Sequence, residues 1–582
     1  MRLEPRLPSV GALCAFLFAS VFLGNLALAQ GTGTRPNLLL IIPDDLGVDS
    51  IGCYGLGTAP PTPVMDSIAQ GGLRFTRVFV NPACTPTRAA ILTGRHAMRS
   101  ECTMALPPGA PGLSGNAMTL AVPLADAGYQ TAMIGKWHLG NRYGNVTPGA
   151  FGWNHFEGVL DSGVGNPYLW TKVTNGLPTT CTQYILSNQV DSAISWIQSQ
   201  SGPWALALTL TLPHVPYHTP PSNLHTQNLA GLNAATNPRP FFAAMVQAMD
   251  TEIGRLLSTL GPAALANTNI VVLADNGTDN AVVAPPLQAS HAKGSLYDGG
   301  SHVPLIVKGP AVANPGTLAT EMVSGIDVFP TILAMCGINH PSPTLAATAP
   351  PLDGVSFAAA LSGQSGYGRS HIYSEISATP LGDGYSVRTT THRLIRYMLN
   401  QPQHQELYDL AADPLEQNNL LVAPLSPANS AAFQQLTALM DSIRTDGWAE
   451  LFGDGCAGTA GVPFLRTQTQ PRIGTTFVAH MSNLSPQCTG MLGVLGASRT
   501  SAGGAPLPFD LGLFGMPGCR LNVSTDILSP FQLPTGFGIY LAIPPLASFY
   551  QAEFYLQGVA FEASANATGL IWSRALRCVI GQ

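Results

Sequence analysis

Residues 37–45 read NLLLIIPDD, an apolar run that stops at a proline and two carboxylates. A short, continuously apolar run of this kind is the pattern of a strand buried on both faces. The same device recurs along the chain. Residues 130–134 run into GKWHLG (135–140), residues 204–212 into Pro213-His214, and NIVVLA (269–274) into Asp275-Asn276-Gly277. A strand at 74–80 and another at 303–307 complete the set. Between them, periodic stretches bounded by Gly and Pro predict helices over 63–71, 118–127, 188–200 and 241–260. Strands alternating with helices predict an α/β fold, a mainly parallel central sheet sandwiched by helices.

In open α/β sheets, ligands bind in the crevice outside the carboxyl ends of the strands. Asp44 and Asp45, Lys136 and His138, His214, and Asp275 and Asn276 each follow directly after a predicted core strand. These polar clusters are therefore expected to converge on one edge of one sheet. Asp44, Asp45, Asp275 and Asn276 are short oxygen donors whose charges repel unless a cation neutralises them, and such donors favour calcium or magnesium. For either pair alone, turn chemistry is the plainer reading, since Asp and Asn are common at strand ends. Lys136 and His138, two apart, share a face on an extended segment. Lys293 lies in HAKGSLYDGGSHVPLIVKGP (291–310).

The stretch CTPTRAAILTGR (84–95) carries a further candidate. Pro86 suits the first turn of a helix, residues 88–92 continue it, and Gly94 stops it. Cys84 is expected just ahead of that helix, where partial positive charge favours an anion. A loop cysteine, free or disulfide-bonded, is the bland alternative.

CTPTRAAILTGR resembles the signature of the type I sulfatases, the formylglycine-dependent branch of the alkaline phosphatase superfamily. In that pattern, C-x-P-S-R followed by x-x-x-L-T-G, the cysteine is oxidised to formylglycine; here Thr87 stands where serine is usual. RPNLLLIIPDDLGVDSIGCYG (35–55), GKWHLG, PHVPYHTP (213–220), LADNGTDN (273–280), KGSLYDGGSHVPLIV (293–307) and ELYDLAADPLEQNNL (406–420) resemble further family segments. The likeness spans about residues 35–440, with Asp298 where glutamate is usual and His302 where arginine is usual.

The resemblance implies an alkaline phosphatase-like sulfatase fold over residues 30–450, with a smaller C-terminal subdomain over about 371–450. It implies Ca2+, in preference to Mg2+, held by Asp44, Asp45, Asp275, Asn276 and the residue made from Cys84. It implies hydrolysis of a sulfate ester of an aryl or sugar alcohol, the substrate being a sulfated small molecule or a sulfated glycan. Hydrated formylglycine at position 84 would attack sulfur and form a covalent intermediate. Arg88, Lys136 and Lys293 would hold the sulfate oxygens. His214 with Lys293 would protonate the leaving alcohol, and His138 would take the proton that expels sulfate. A formylglycine-generating enzyme is the implied partner. Two alternatives stand beside this reading: a phosphonate or phosphate ester hydrolase of the same superfamily, and a non-catalytic cell-surface binding protein.

Composition sets outer bounds. Only 10% of the 582 residues are charged, against about 25% in typical soluble domains. With 61 glycines and 49 prolines, turns and loops are abundant. A net charge of −6 without any basic run argues against nucleic acid. Arg2 and Arg6, an apolar run over 10–28 and Ala27-Leu28-Ala29 predict a signal peptide over 1–29, a membrane anchor being the alternative. The mature chain is then exported: periplasmic, extracellular or at the cell surface. Of ten cysteines, Cys14 leaves with that segment, and Cys456, Cys488, Cys519 and Cys578 allow three disulfide pairings. Residues 456–582 consist of short alternating runs between Gly/Pro-rich turns, which predicts an all-β sandwich. Its aromatics Phe531, Phe537 and Tyr540 are candidates for a carbohydrate-facing surface, core or edge packing being the plainer reading. Oligomeric state has no signature in the sequence.

Overall fold

The computed structural model describes residues 35–582 apart from 57, 101, 109–111, 114–116, 141–147, 339–351, 381, 398–403, 445–447, 468–470, 531–537, 550–551 and 582. The proposed signal peptide, Phe531 and Phe537 lie outside the described residues. A ten-stranded sheet forms the centre. Its middle is five parallel strands in the order Thr268–Leu273, Asn37–Ile41, Trp204–Thr209, Gln130–Lys136 and His155–Val159. All five residues of Asn37–Ile41 are buried, as a strand covered on both faces requires.

The edges differ from a purely parallel sheet. Leu305–Lys308 runs antiparallel beside Thr268–Leu273, and Trp170–Thr174 and Leu177–Cys181 form an antiparallel hairpin at the other end. The strand expected over 74–80 is two. Leu73–Phe75 joins the large sheet, while Val78–Phe79 pairs with Val323–Ser324 in a separate small sheet. The chain leaves the large sheet at Thr76-Arg77, so a single run of β-favouring residues serves two ladders.

Helices Pro63–Gln70, Ile185–Gln198 and Pro238–Ala266 match the expected positions. The last is broken at Gly261, where φ is 73°. The helix expected over 118–127 is only Ala121–Asp126. Cys84 does not precede its helix but begins it. The helix runs Cys84–Thr93 behind Ala83, and Gly94 closes it with φ 66°. Pro86 sits within the first turn, where its missing N–H costs nothing.

After the central sheet, four antiparallel strands, Ile372–Thr379, Gly382–Arg388, His392–Tyr397 and His404–Asp409, form a meander. Helix Pro427–Arg444 packs on it through Leu436 and Met440 against Val387, Leu394 and Leu407. Ser426 Oγ accepts from Asn429 N at 3.2 Å, capping that helix.

From Trp448 onward the chain is antiparallel β. Trp448–Phe452, Leu570–Val579, Glu553–Phe561, Gly490–Gly496 and Ile527–Pro530 make a five-stranded sheet. Phe464–Thr467, Thr476–Ser482 and Gly538–Ala542 make a three-stranded one. Leu465, Phe477 and Met481 of the smaller sheet share a core with Leu556, Ile571 and Leu576 of the larger, the layering of a β-sandwich. Of the three pairings open to the four late cysteines, the bridge present joins Cys456 to Cys519. Tyr540 is exposed on the three-stranded sheet.

Candidate active site

Strand register brings the predicted residues together. Ile41 lies beside Leu208 and Val272, and Gly135 beside Thr209, so all four strands end at the same level. The residues that follow those ends close on one point. Gly135 permits the approach: its φ is 120°, and a Cβ there would stand 1.9 Å from the Thr209 carbonyl oxygen.

At the centre, Cys84 Sγ lies 3.1 Å from His138 Nδ1. His138 Nε2 lies 2.9 Å from the Leu106 carbonyl oxygen. A carbonyl only accepts, so Nε2 carries the proton and Nδ1 turns its lone pair toward position 84. Burial, reinforced by Lys136, pushes the His138 imidazole down to about 3, so the ring is neutral. Thr85 Oγ1 donates to the His138 carbonyl at 3.0 Å and accepts from Leu106 N at 3.3 Å. His138 is held at φ 51° and Asp45 at φ 68°, left-handed conformations that are uncommon for non-glycine residues.

Around this pair stand three carboxylates and three cations. Lys136 Nζ bonds Asp44 Oδ2 at 2.6 Å. Arg88 Nε bonds Asp275 Oδ2 at 2.8 Å, and its Nη1 donates to the Lys136 carbonyl at 2.9 Å. Lys293 Nζ lies 2.7 Å from both Asp45 oxygens. His214 Nδ1 bonds the Val215 carbonyl at 2.7 Å, leaving Nε2 to face Asp45 Oδ2 at 4.0 Å. Asn276 Nδ2 donates to Asp45 Oδ1 at 2.8 Å, and Asp45 N to Asp275 Oδ1 at 3.2 Å. Every candidate catalytic and cation-binding residue named from the sequence is therefore at this one place.

The electrostatics divide the carboxylates. Burial alone would raise Asp44, but Lys136, His214, Arg88 and Lys293 hold it well below the usual carboxylate range. Asp275 is pushed up to about 7 by burial and by Asp44 beside it. Burial would lower the Lys293 ammonium, yet neighbouring Asp45 outweighs it and holds the group above its ordinary value. Burial pushes the Cys84 thiol up, so the unmodified cysteine is no ready thiolate.

The donor set fits a divalent cation. Asp44 Oδ1 and Asn276 Oδ1 are buried oxygens without a hydrogen-bond partner. One ligand atom from each of Asp44, Cys84 and Asp275 lies within 4.8 Å of the other two, and the same holds for Asp44, Asp45 and His214. Buried, unsatisfied oxygens beside clustered carboxylates suit calcium or magnesium.

The variant positions have plain roles. Thr87 Oγ1 donates to the Asn81 carbonyl at 2.8 Å, bracing the turn before the helix. Asp298 pairs with His302 at 2.9 Å and with Arg388 at 2.6 Å, while its backbone N–H donates to Glu416 at 2.7 Å. These residues tie the site's last loop to the antiparallel meander. Thr85 and Leu106 were not singled out in the sequence. Thr85 lies inside the cysteine motif, but Leu106 acts through its carbonyl, which no side-chain pattern reports.

Comparison with known proteins assigns the class. A model of the sulfatase family matches residues 36–338, and one for the C-terminal part of N-sulphoglucosamine sulphohydrolase matches residues 289–445. Arylsulfatase A of Homo sapiens is 30% identical over 471 residues, covering 71% of this chain and 90% of that protein. The N-acetylgalactosamine-6-O-sulfatase of Bacteroides thetaiotaomicron is 25% identical over 491 residues, covering 71% of this chain and 93% of that protein. The crystal structure of Ps i-CgsB in complex with k-i-k-neocarrahexaose shares the fold, with a TM-score of 0.59 at 24% identity over 70% of this chain and 93% of that one. The chain belongs to the sulfatase family. It is a sulfuric ester hydrolase.

Proposed function

We propose that the chain hydrolyses a sulfate ester of an aryl or sugar alcohol, using a formylglycine made from Cys84 by a formylglycine-generating enzyme and a divalent cation, Ca2+ in preference to Mg2+. The observation that carries this reading is the contact of Cys84 Sγ with the neutral His138 Nδ1, enclosed by Arg88, Lys136 and Lys293. Asp44, Asp45, Asp275 and Asn276, with position 84, would hold the cation. When both groups are present, they supply a hydrated aldehyde as nucleophile and Lewis-acid polarisation of the oxygens around it.

The chain's own side chains do the rest. Position 84 opens a ten-residue helix, whose N-terminal N–H groups and dipole favour an anion there. Arg88, Lys136 and Lys293 offset the charge of the sulfate oxygens. His138 Nδ1 takes a proton from the position-84 side chain, its ring fixed by the Leu106 carbonyl. His214 and Lys293, on the solvent side of Asp45, hand a proton to the departing alcohol oxygen. The apolar leader with its Ala-x-Ala end supports export, hence work outside the cytoplasm.

The test is the mass of the tryptic peptide 78–88 from chain produced with a formylglycine-generating enzyme, followed by sulfate release from phenyl sulfate. An aldehyde or its hydrate at position 84 with calcium-dependent turnover is expected. An unmodified thiol, or hydrolysis of phenyl phosphonate faster than phenyl sulfate, sinks the reading.

A further inference from the structure

We propose that a cavity of about 720 Å3 beside His214 receives the alcohol half of the ester and selects an uncharged, apolar alcohol, aromatic or polycyclic, over a sulfated sugar chain. This rests on the sulfatase reading of the site.

Position comes first. The cavity is lined by Leu160, Asp161, Val164, Leu169, Trp170 and Val173, with Gly163 among them. The Leu160 carbonyl accepts from His138 N at 3.0 Å, so the wall continues directly from the catalytic strand end. On the other side, a Cβ built on Gly163 would stand 3.6 Å from His214 Nδ1. One glycine thus borders both the cavity and the imidazole placed at the leaving alcohol. An alcohol whose sulfate sits between Cys84 and Lys293 leaves past the His214 ring, and this space opens beyond the Nδ1 edge of that ring.

Chemistry comes second. Leu160, Val164, Leu169, Trp170 and Val173 are apolar, Thr171 and Thr180 add uncharged hydroxyls, and the one ionisable lining side chain is the carboxylate of Asp161. No lysine or arginine is among the described lining residues. Lys172 on the same hairpin is engaged by Glu157 at 2.7 Å. A polyanionic glycan needs cations along its path, and a carboxylate in the wall repels it. Leu169 of the wall is 55% exposed, and its chain neighbour Tyr168 and the residue after His214, Val215, are 40% and 38% exposed. The Tyr168 hydroxyl donates to the Thr219 carbonyl at 2.7 Å, and its ring lies beside Tyr184. An exposed apolar side chain at a concave pocket marks a ligand site.

The experiment uses Leu169→Asp in the full chain, a change at an exposed rim position outside the catalytic machinery. With modified, calcium-loaded protein, kcat/KM is compared for phenyl sulfate, 2-naphthyl sulfate and N-acetylgalactosamine 6-sulfate. The naphthyl ester is expected to exceed the sugar sulfate by about tenfold or more, and the variant to lower the naphthyl value by about tenfold while changing the phenyl value far less. In parallel, titration of 2-naphthol into unmodified chain by calorimetry should show binding that the variant weakens by a similar factor. Sulfate release from phenyl sulfate with the sugar ester preferred, or with Leu169→Asp without effect on the naphthyl ester, overturns the pocket assignment alone. Release from none of the three esters overturns the sulfatase reading, and naphthol binding that ignores the substitution then overturns the pocket as well.

Discussion

The carboxyl edge of the central sheet and the interior of the C-terminal sandwich both bury polar side chains, but they satisfy them differently. In the sandwich, Gln557 is answered by backbone: it accepts from Asn522 N and donates to the Arg520 and Ser573 carbonyls, all at 2.8 Å. Every polar atom of the Gln557 amide is used in this way, and the group serves packing. At the sheet edge, Asp44, Asp45, Lys136, Asp275 and Asn276 are all 0% exposed, yet they answer one another across separate strands. Two of their oxygens, Asp44 Oδ1 and Asn276 Oδ1, have no hydrogen-bond partner. Buried charges paired largely with other side-chain charges are costly to assemble and sensitive to any ion that enters. That difference separates a site from a core.

The sharpest break falls on the edge. Cys84→Ala should abolish turnover, a loss of about 10⁴-fold or more in kcat, with the thermal transition unchanged. Cys84→Ser keeps a hydroxyl but lacks the second one of a hydrated aldehyde. It is expected to give one burst of alcohol and a sulfated protein visible by intact mass; repeated turnover would falsify the aldehyde chemistry. His138→Ala should lower kcat by about 10²–10⁴-fold with a smaller change in KM, as loss of a proton acceptor does.

A third measurement probes the sandwich. Cys456→Ser with Cys519→Ser removes the bridge present there, and denaturant titration should show a loss of about 2–4 kcal/mol in that part of the chain. Sulfate release at low denaturant should stay unchanged. If kcat falls with the bridge, the two regions are coupled and the contrast fails.

The smallest effect lies between them. His96, half-buried with its ring 5.0 Å from that of Tyr373, is pushed down to about 4 by burial. Unfolded, it titrates near the ordinary histidine value of about 6.5. The unfolded chain therefore binds the extra proton between those values. Stability from the neutral ring is complete above pH ~6.5 and is lost as pH falls toward 4, by about 2 kcal/mol. His96→Gln should flatten that slope in thermal melts between pH 4 and 7 while leaving activity at pH 7 unaltered.

Several features were readable before any coordinates. The apolar runs ending in Pro-Asp-Asp, Lys-Trp-His, Pro-His and Asp-Asn announced both the buried strands and the side that carries the site, because a strand buried on both faces must surrender its polar residues at its end. Gly94 stopped the cysteine helix as expected, since only a left-handed residue closes that turn. The antiparallel direction of Leu305–Lys308 was not readable, because a short apolar run carries no sign of its direction. The division of the 74–80 run between two sheets depends equally on what lies beside it, Leu305–Lys308 for one part and Val323–Ser324 for the other.

The sequence by itself determined the α/β class, the residues that carry charge and reactivity, and the sandwich that follows, because each is written in local pattern. Only the tertiary structure decided how those residues meet. It placed the lone pair of His138 toward Cys84 through the Leu106 carbonyl and left Asp44 Oδ1 and Asn276 Oδ1 unsatisfied. It also opened a cavity lined by Leu160 and by Gly163, which borders His214. Backbone carbonyls, orphaned oxygens and empty space have no residue type. They exist only once distant strands are set side by side in register.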